Sequence, residues 1–206
     1  MKLKRSDLQG LAEDVAPTLL GASLTHRMST GDVSVRITEV EAYGGPGTDP
    51  ASHAHRGRTP RNEVMFARPG TLYVYFVYGM HWCANIVCGP VGEASAVLLR
   101  AGEVVQGDHV ARERRPASRR HSELARGPGN LAMSLGITGS ANGWDLFAEG
   151  SVLWLSGSTA GLLAPSDVGA GPRVGVLQAA DRPWRWWIKD ESTVSRYRRH
   201  AGDAPR

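Results

Sequence analysis

The sequence predicts one mixed α+β domain: a curved, mainly antiparallel β-sheet with peripheral helices and a protruding β-hairpin. Three observations carry that class. Runs of β-branched and aromatic residues, bounded by Gly, Pro and Asp, recur from Val33 to Ile188. Two of these runs flank a single turn, Tyr78-Gly79-Met80, as the arms of a hairpin would. Helical signals are confined to two short segments, near Ser6 and Pro128, and neither a repeat nor a linker divides the chain. Its 206 residues suffice for one domain with a real core.

Taken in order, Ser6 is a potential N-cap, followed by a helical stripe of Leu8, Leu11, Val15 and Leu19. Pro17 should kink or restart that helix and Gly21 should end it. Val33–Tyr43 reads as a strand whose alternation sends Val33, Val35, Ile37, Glu39, Glu41 and Tyr43 to one face. A face that turns from valine to glutamate suggests a site lined by the strand's end, because an unpartnered buried carboxylate is costly. The plainer alternative is a strand emerging at the surface with both glutamates solvated. Residues 49–66 form a polar, cationic loop, and Pro69-Gly70 turns the chain into Thr71–Val77. His81–Cys88 returns as the second arm of the hairpin, with Gly79 free to adopt a positive φ. An aromatic tip beside an arginine-rich loop is a plausible wedge for duplex DNA. Ala94–Ala101 follows as a buried strand carrying the cation Arg100.

Residues 106–126 carry Arg112, Arg114, Arg115, Arg119, Arg120 and Arg126 with little apolar content. That reads as a solvated, mobile loop or, more sharply, as a phosphate-contacting segment. Pro128 suits the first turn of a short helix that Gly136 ends. Ser151–Ser156 and Gly171–Ala179 read as strands, Ser158–Gly169 as a surface loop, and Pro183–Ile188 as a closing strand whose tryptophans pack a core. Arg196–Arg206 has little to bury and is expected to fray, leaving residues 1–195 as the domain.

Composition sets the outer bounds. Hydrophobic residues make up 41% of the chain, no segment has the length of a membrane span, and the N-terminus lacks a signal peptide's apolar centre, which predicts a cytoplasmic protein. A formal charge of +4 suits an anionic partner. Cys83 and Cys88 should face opposite sides of one strand, giving neither a disulfide nor a zinc site. His53 and His55 form an H-x-H with no further ligand nearby, so no metal or other cofactor is expected.

The succession R-I-T-E-V-E-A-Y, A-S-H, G-R-T-P-R-N, M-F, P-G-T-L-Y-V-Y, Y-G-M-H-W-C-A-N, A-V-L-L-R-A, G-P-G-N-L and R-V-G-V resembles the alkyladenine (3-methyladenine) DNA glycosylase family, in order across residues 7–195. The resemblance implies an open-barrel-like sheet and a monomeric enzyme that flips damaged purines from double-stranded DNA and hydrolyses their bond to the sugar. It makes Glu41 the general base, with Arg100 and the backbone of Val174 holding Glu41 or its water. Tyr43, His53 and Tyr75 match the walls around the flipped base, Leu98 adds an apolar wall, and Asn85 limits the purine's 2-amino side. Tyr78 matches the intercalating residue, and Arg58, Arg61 and Met80 are expected against the DNA backbone. Glu39 is the weaker candidate base, which the resemblance and not the alternation decides. Pro17 stands where the family usually has a polar residue and Asn130 where it has a lysine. Two rivals stay open on the residues alone: a noncatalytic nucleic-acid-binding module, and a small-molecule hydrolase using Glu39 and Glu41 as paired carboxylates.

Overall fold

The computed structural model describes residues 3–157 and 163–198. Nine strands form one sheet: β1 (Ser23–His26), β2 (Val33–Tyr43), β3 (Leu72–Val77), β4 (His81–Val87), β5 (Ala96–Gln106), β6 (Ala125–Arg126), β7 (Leu153–Ser156), β8 (Val168–Gly171) and β9 (Arg185–Ile188). The main path runs β3-β4-β5-β2-β1-β7, with β6 on β5 and the β8–β9 pair joined to β2 through β9. Each strand pairing is antiparallel. Helices α1 (Ala12–Val15), α2 (Asp108–Arg114) and α3 (Pro128–Ser134) are short and lie at its periphery. Among the described residues no helix is long and apolar enough to cross a membrane. The predicted fold class holds.

The amphipathic N-terminal segment is broken more thoroughly than Pro17 alone implies. It divides into 3-10 turns at Arg5–Leu8 and Ala16–Leu19 around the single turn of α1. Leu8, Val15 and Leu19 are buried, whereas Leu11 is 53% exposed because it precedes α1 as an extended cap outside the stripe. β1 has no counterpart in the sequence reading. Its four residues are too few for alternation to speak, and its place is fixed by pairing with β2 and β7.

The arginine-rich stretch is a second correction. It is neither a bare loop nor a free basic strip. α2 buries Val110 and Ala111, and Arg114 and Arg115 donate to the carbonyls of Ser134 (2.9 Å) and Leu124 (3.2 Å). Arg112 pairs with Asp108 and Arg126 donates to Ser192 O, which leaves Arg119 and Arg120 at the surface. Here three of the six arginines donate to backbone carbonyls, a use that composition cannot separate from phosphate binding.

The expected strand Gly171–Ala179 is also not formed. β8 occupies Val168–Gly171, taking Val168 and Gly169 from the expected surface loop, and Pro172 then ends the ladder by lacking an N–H. Gly175 (φ 71°) and Ala179 (φ 48°) turn the chain where a strand was expected. The remainder of that loop, residues 158–162, and the tail 199–206 lie outside the described residues. Trp184 and Trp186 pack on the main core as expected, and Trp187 covers Gly169, where a Cβ would meet its ring at 2.4 Å.

One irregularity places the site. Along β2, Ile37 pairs with Gly102, Glu39 with Ala101 and Val40 with Leu99, so Thr38 and Arg100 are extra residues on facing strands. Each bulge reverses its strand's alternation. Val33, Val35 and Ile37 therefore share the core with Val40 and Ala42, and on β5 Val104 shares it with Leu99 and Val97. Glu39, Glu41 and Tyr43 thus face away from the valines, contrary to simple alternation. They are carried to a second, buried face of the sheet.

Candidate active site

That second face carries a continuous row of side chains. Tyr73, Asn85, Leu98, Glu41 and Arg185 stand opposite one another across β3, β4, β5, β2 and β9. Residues directly opposite in an antiparallel ladder project to the same face. The flanking rows add Tyr75 and Cys83 on one side and Ala96 and Tyr43 on the other. Above these rows lies a cavity of about 380 Å³, lined by Tyr43, His53, Tyr75, Asn85, Leu98 and Arg100 among others, and reached by Tyr78, Arg61 and Val174. Of the residues that the resemblance assigns to the site, Glu41, Arg58 and Met80 do not line it, and neither does the weaker candidate Glu39.

Glu41 lies under the cavity floor, fully buried. Tyr43 OH donates to one carboxylate oxygen at 2.8 Å and Val174 N–H to the other at 2.7 Å; Arg100 stands 3.4 Å from the latter. Tyr43, Val174 and Arg100 all line the cavity. A carboxylate has about four lone-pair sites, so the two hydrogen bonds from Tyr43 and Val174 leave it able to accept from a water. Burial works against the charge of Arg100, but Glu41 and Glu39 outweigh it and hold the guanidinium above its ordinary range. Burial, reinforced by Glu41, pushes the Tyr43 phenol well up, so it serves as a donor and not as an anion.

Glu39 is equally buried but differently engaged. Its carboxylate takes Arg100 Nε at 3.1 Å, Arg185 at 2.9 Å and the Ser195 N–H at 2.8 Å. No atom of Glu39 reaches the cavity lining. Geometry therefore separates the two glutamates that alternation could not.

The walls are aromatic. His53 and Tyr75 meet edge to face at 4.5 Å, and Tyr73 and Tyr75 lie tilted by 31° at 5.6 Å. His53 Nδ1 shares a 3.0 Å hydrogen bond with Tyr73 OH. Desolvation and the nearby Arg61 lower the His53 pKa, which keeps the ring neutral near pH 7. Burial raises Tyr73 to about 12 and Tyr75 higher still. Uncharged π surfaces of this kind suit a flat base and do not repel one that carries positive charge. Asn85 is held by a 3.1 Å bond to Tyr73 O, which fixes its amide towards the cavity wall.

The hairpin stands out from this face. Tyr78 and Gly79 take φ values of 53° and 65°, and Met80 N–H closes the turn on Val77 O. Two positive φ values give the turn that matches strand twist, a place that favours Asn-Gly over a bulky residue. Tyr78 is nevertheless there, 84% exposed, with Met80 66% exposed beside it. Arg58 stacks over Phe66 at 4.5 Å, outside the cavity lining.

Sequence reasoning missed Met65 and Cys83 in the lining and the pair Asp49–Arg173 behind it. Cys83 was recoverable, since the hairpin register sets it opposite Tyr75. Arg173, buried between the rings of Tyr43 and Trp184, donates to both Asp49 oxygens and to Ala42 O. It fixes the backbone that presents Val174. Nothing local in the sequence marks it, because its partner lies 124 residues away.

Aromatic walls, a buried carboxylate beneath them and an exposed tyrosine beside them are the parts expected of a DNA glycosylase. Comparison with known proteins narrows this. Residues 6–192 match the family described as Methylpurine-DNA glycosylase (MPG). Two similar proteins bear the name "Putative 3-methyladenine DNA glycosylase". One, from Streptomyces avermitilis, is 52% identical over 189 residues, covering 91% of this chain and 87% of the relative. The other, from Rhodococcus jostii, is 53% identical over 191 residues, covering 90% and 81%. A same-named protein of Burkholderia lata is 45% identical, covering 94% and 90%. The chain belongs to the methylpurine-DNA glycosylase family. It is a DNA glycosylase, a hydrolase acting on alkylated purines in base excision repair.

Proposed function

We propose that this protein excises 3-methyladenine and related N-alkylated purines from duplex DNA by flipping the base and directing a water at the sugar. The observation that carries the reading is the fully buried Glu41, hydrogen-bonded by Tyr43 and Val174 beneath an aromatic cavity. Tyr78 enters from the minor groove and fills the place the base leaves. Flipping costs a few kcal/mol, least for damaged or mispaired bases, and stacking on Tyr43, His53 and Tyr75 returns roughly 1–3 kcal/mol per base. Glu41 takes a proton from the water, and its charge favours the oxocarbenium-like sugar. Arg100 and Val174 N–H orient Glu41. Asn85 and Leu98 close the cavity against the 2-amino group of guanine, and Arg58, Arg61 and Met80 meet the backbone.

N-alkylated purines carry positive charge and leave without much help. A neutral lesion such as hypoxanthine needs an acid at the leaving base, and no cavity side chain is an evident one. The preference is therefore for cationic lesions. Residues 1–195 act as the glycosylase domain, as a monomer in the cytoplasm. Incubating the protein with a duplex carrying one N-methylated purine tests the reading: an abasic site is expected. Binding without base release would favour the noncatalytic module, and indifference to duplex DNA the small-molecule hydrolase.

A further inference from the structure

Two buried charges that the proposed chemistry leaves unused, Glu39 and Arg185, join Arg100 and Glu41 in a chain of alternating sign. Arg185 contacts Glu39 (2.9 Å), Glu39 contacts Arg100 (3.1 Å), and Arg100 approaches Glu41 (3.4 Å). All four side chains are at most 8% exposed. Such groups cost several kcal/mol each to desolvate, and apolar residues of like volume often stabilise as well or better. Stability alone therefore does not explain them.

The geometry of Arg100 does. Its Nε is committed to Glu39 and a terminal nitrogen to Ser195 Oγ (3.3 Å), so only the far nitrogen is turned to Glu41, at more than hydrogen-bond distance for a charged pair. Glu39 cannot shift to release it, being anchored by Arg185 and by the Ser195 N–H (2.8 Å). Arg185 in turn donates Nε to Pro172 O at 2.9 Å, two residues before the Val174 N–H that binds Glu41. Arg185 thus touches both supports of Glu41, through Glu39 and through the Pro172–Val174 backbone.

We propose that Glu39 and Arg185 are positioning residues that hold Arg100 back from Glu41, so that Glu41 stays basic enough to accept a proton from water. Without Glu39, Arg100 closes on Glu41 as a tight pair and a like charge disappears from beside it. Both changes weaken Glu41 as a base. Without the Arg185 cation, Glu39 is less neutralised and Glu41 becomes a stronger one. The other ionisable groups facing Glu41 are Tyr43 from its own strand, Tyr75 from β3, Cys83 from β4 and Arg173 from the loop before Val174. Burial raises both Tyr75 and Cys83, which keeps them neutral where they face Glu41, and Arg173 is taken up by Asp49.

The inference rests on Glu41 as the base, and single-turnover excision of one N-methylated purine from a duplex, measured against pH, tests the two separately. Glu39→Gln is expected to move the acidic limb of the rate down by about one pH unit, the lower end of a neighbouring charge's effect on a carboxylate. Arg185→Met is expected to move it up, and Arg185→Lys, keeping the charge, to leave it in place. The paired change Glu39→Gln with Arg185→Met restores the charge balance and serves if Glu39→Gln alone does not fold. For that pair the limb returns towards the parent's. If folded variants lose rate with the limb unmoved, Glu39 and Arg185 are structural only and the proposal fails. If the parent limb survives Glu41→Gln, the base assignment itself is what fails.

Discussion

At the residue scale the two glutamates of β2 differ by their neighbours, not by their burial. Glu41→Gln removes the proton acceptor while keeping shape: the amide oxygen still accepts from Val174 N–H, and the amide NH2 donates to Tyr43 Oη instead of accepting from it. Lesion-duplex affinity is expected to hold while single-turnover excision falls by about 10²–10⁴, the usual worth of a positioned base; a rate near the parent's would remove Glu41 from the mechanism. Asp49 offers a prediction on stability. Burial opposes its charge, but Arg173 and the Gly44 and Ala51 N–H groups prevail and hold its carboxyl below the ordinary range. A folded-state pKa that is depressed stabilises the fold above the ordinary value of about 4 and loses that stabilisation as pH falls through the lower folded value. Asp49→Asn leaves Arg173 buried without a counter-charge and should cost about 3–5 kcal/mol at pH 7. Urea midpoints of parent and variant should therefore converge below pH 4; a gap that stays constant into acid would mean the pair is not what is lost.

At the scale of elements, the hairpin was legible and the alternation of β2 was not. Thr71–Val77, the Tyr78-Gly79-Met80 tip and His81–Cys88 announce themselves because period-two patterning and turn chemistry are local. The double bulge at Thr38 and Arg100 is a property of two strands together, and no run of residues within β2 reveals it. Alternation alone put Glu41 on the valines' face, and only the register of β5 moves it to the cavity. The R-V-G-V stretch misled for a related reason: its backbone serves Glu41 and the turn after Pro172, not a ladder. The hairpin tip also carries a test of trade-off. Tyr78 sits at φ 53°, a conformation that costs an L side chain about 1–2 kcal/mol and glycine almost nothing. Tyr78→Gly is expected to keep or raise the thermal midpoint while slowing excision from duplex much more than from a single strand, where there is no stack to open. Equal losses on both substrates, or a lowered midpoint, would make Tyr78 a structural turn residue.

For the whole molecule, sequence composition argued for an anionic partner, and the fold engages part of the arginine-rich stretch in contacts of its own. The +4 charge is not a wholly free basic surface, since Arg112, Arg114, Arg115 and Arg126 each make an intramolecular hydrogen bond or ion pair, that of Arg112 at the surface. The cavity itself uses arginine and no lysine, which bears on mechanism. A glycosylase that attacks the sugar with an amine needs a lysine of depressed pKa in the site, and arginine stays protonated. The chain has Lys2, Lys4 and Lys189 and no others. Lys4 is exposed on the first turn, Lys189 donates to Ser166 O at 2.7 Å, and neither lines the cavity. Lys2 lies outside the described residues. Borohydride added during excision is accordingly expected to trap no protein–DNA adduct, and the strand should stay intact at the abasic site until alkali is added. A covalent adduct that depends on the lesion would put an amine, from a terminus reaching the cavity, in the place now given to water, and Glu41 would then serve that amine instead.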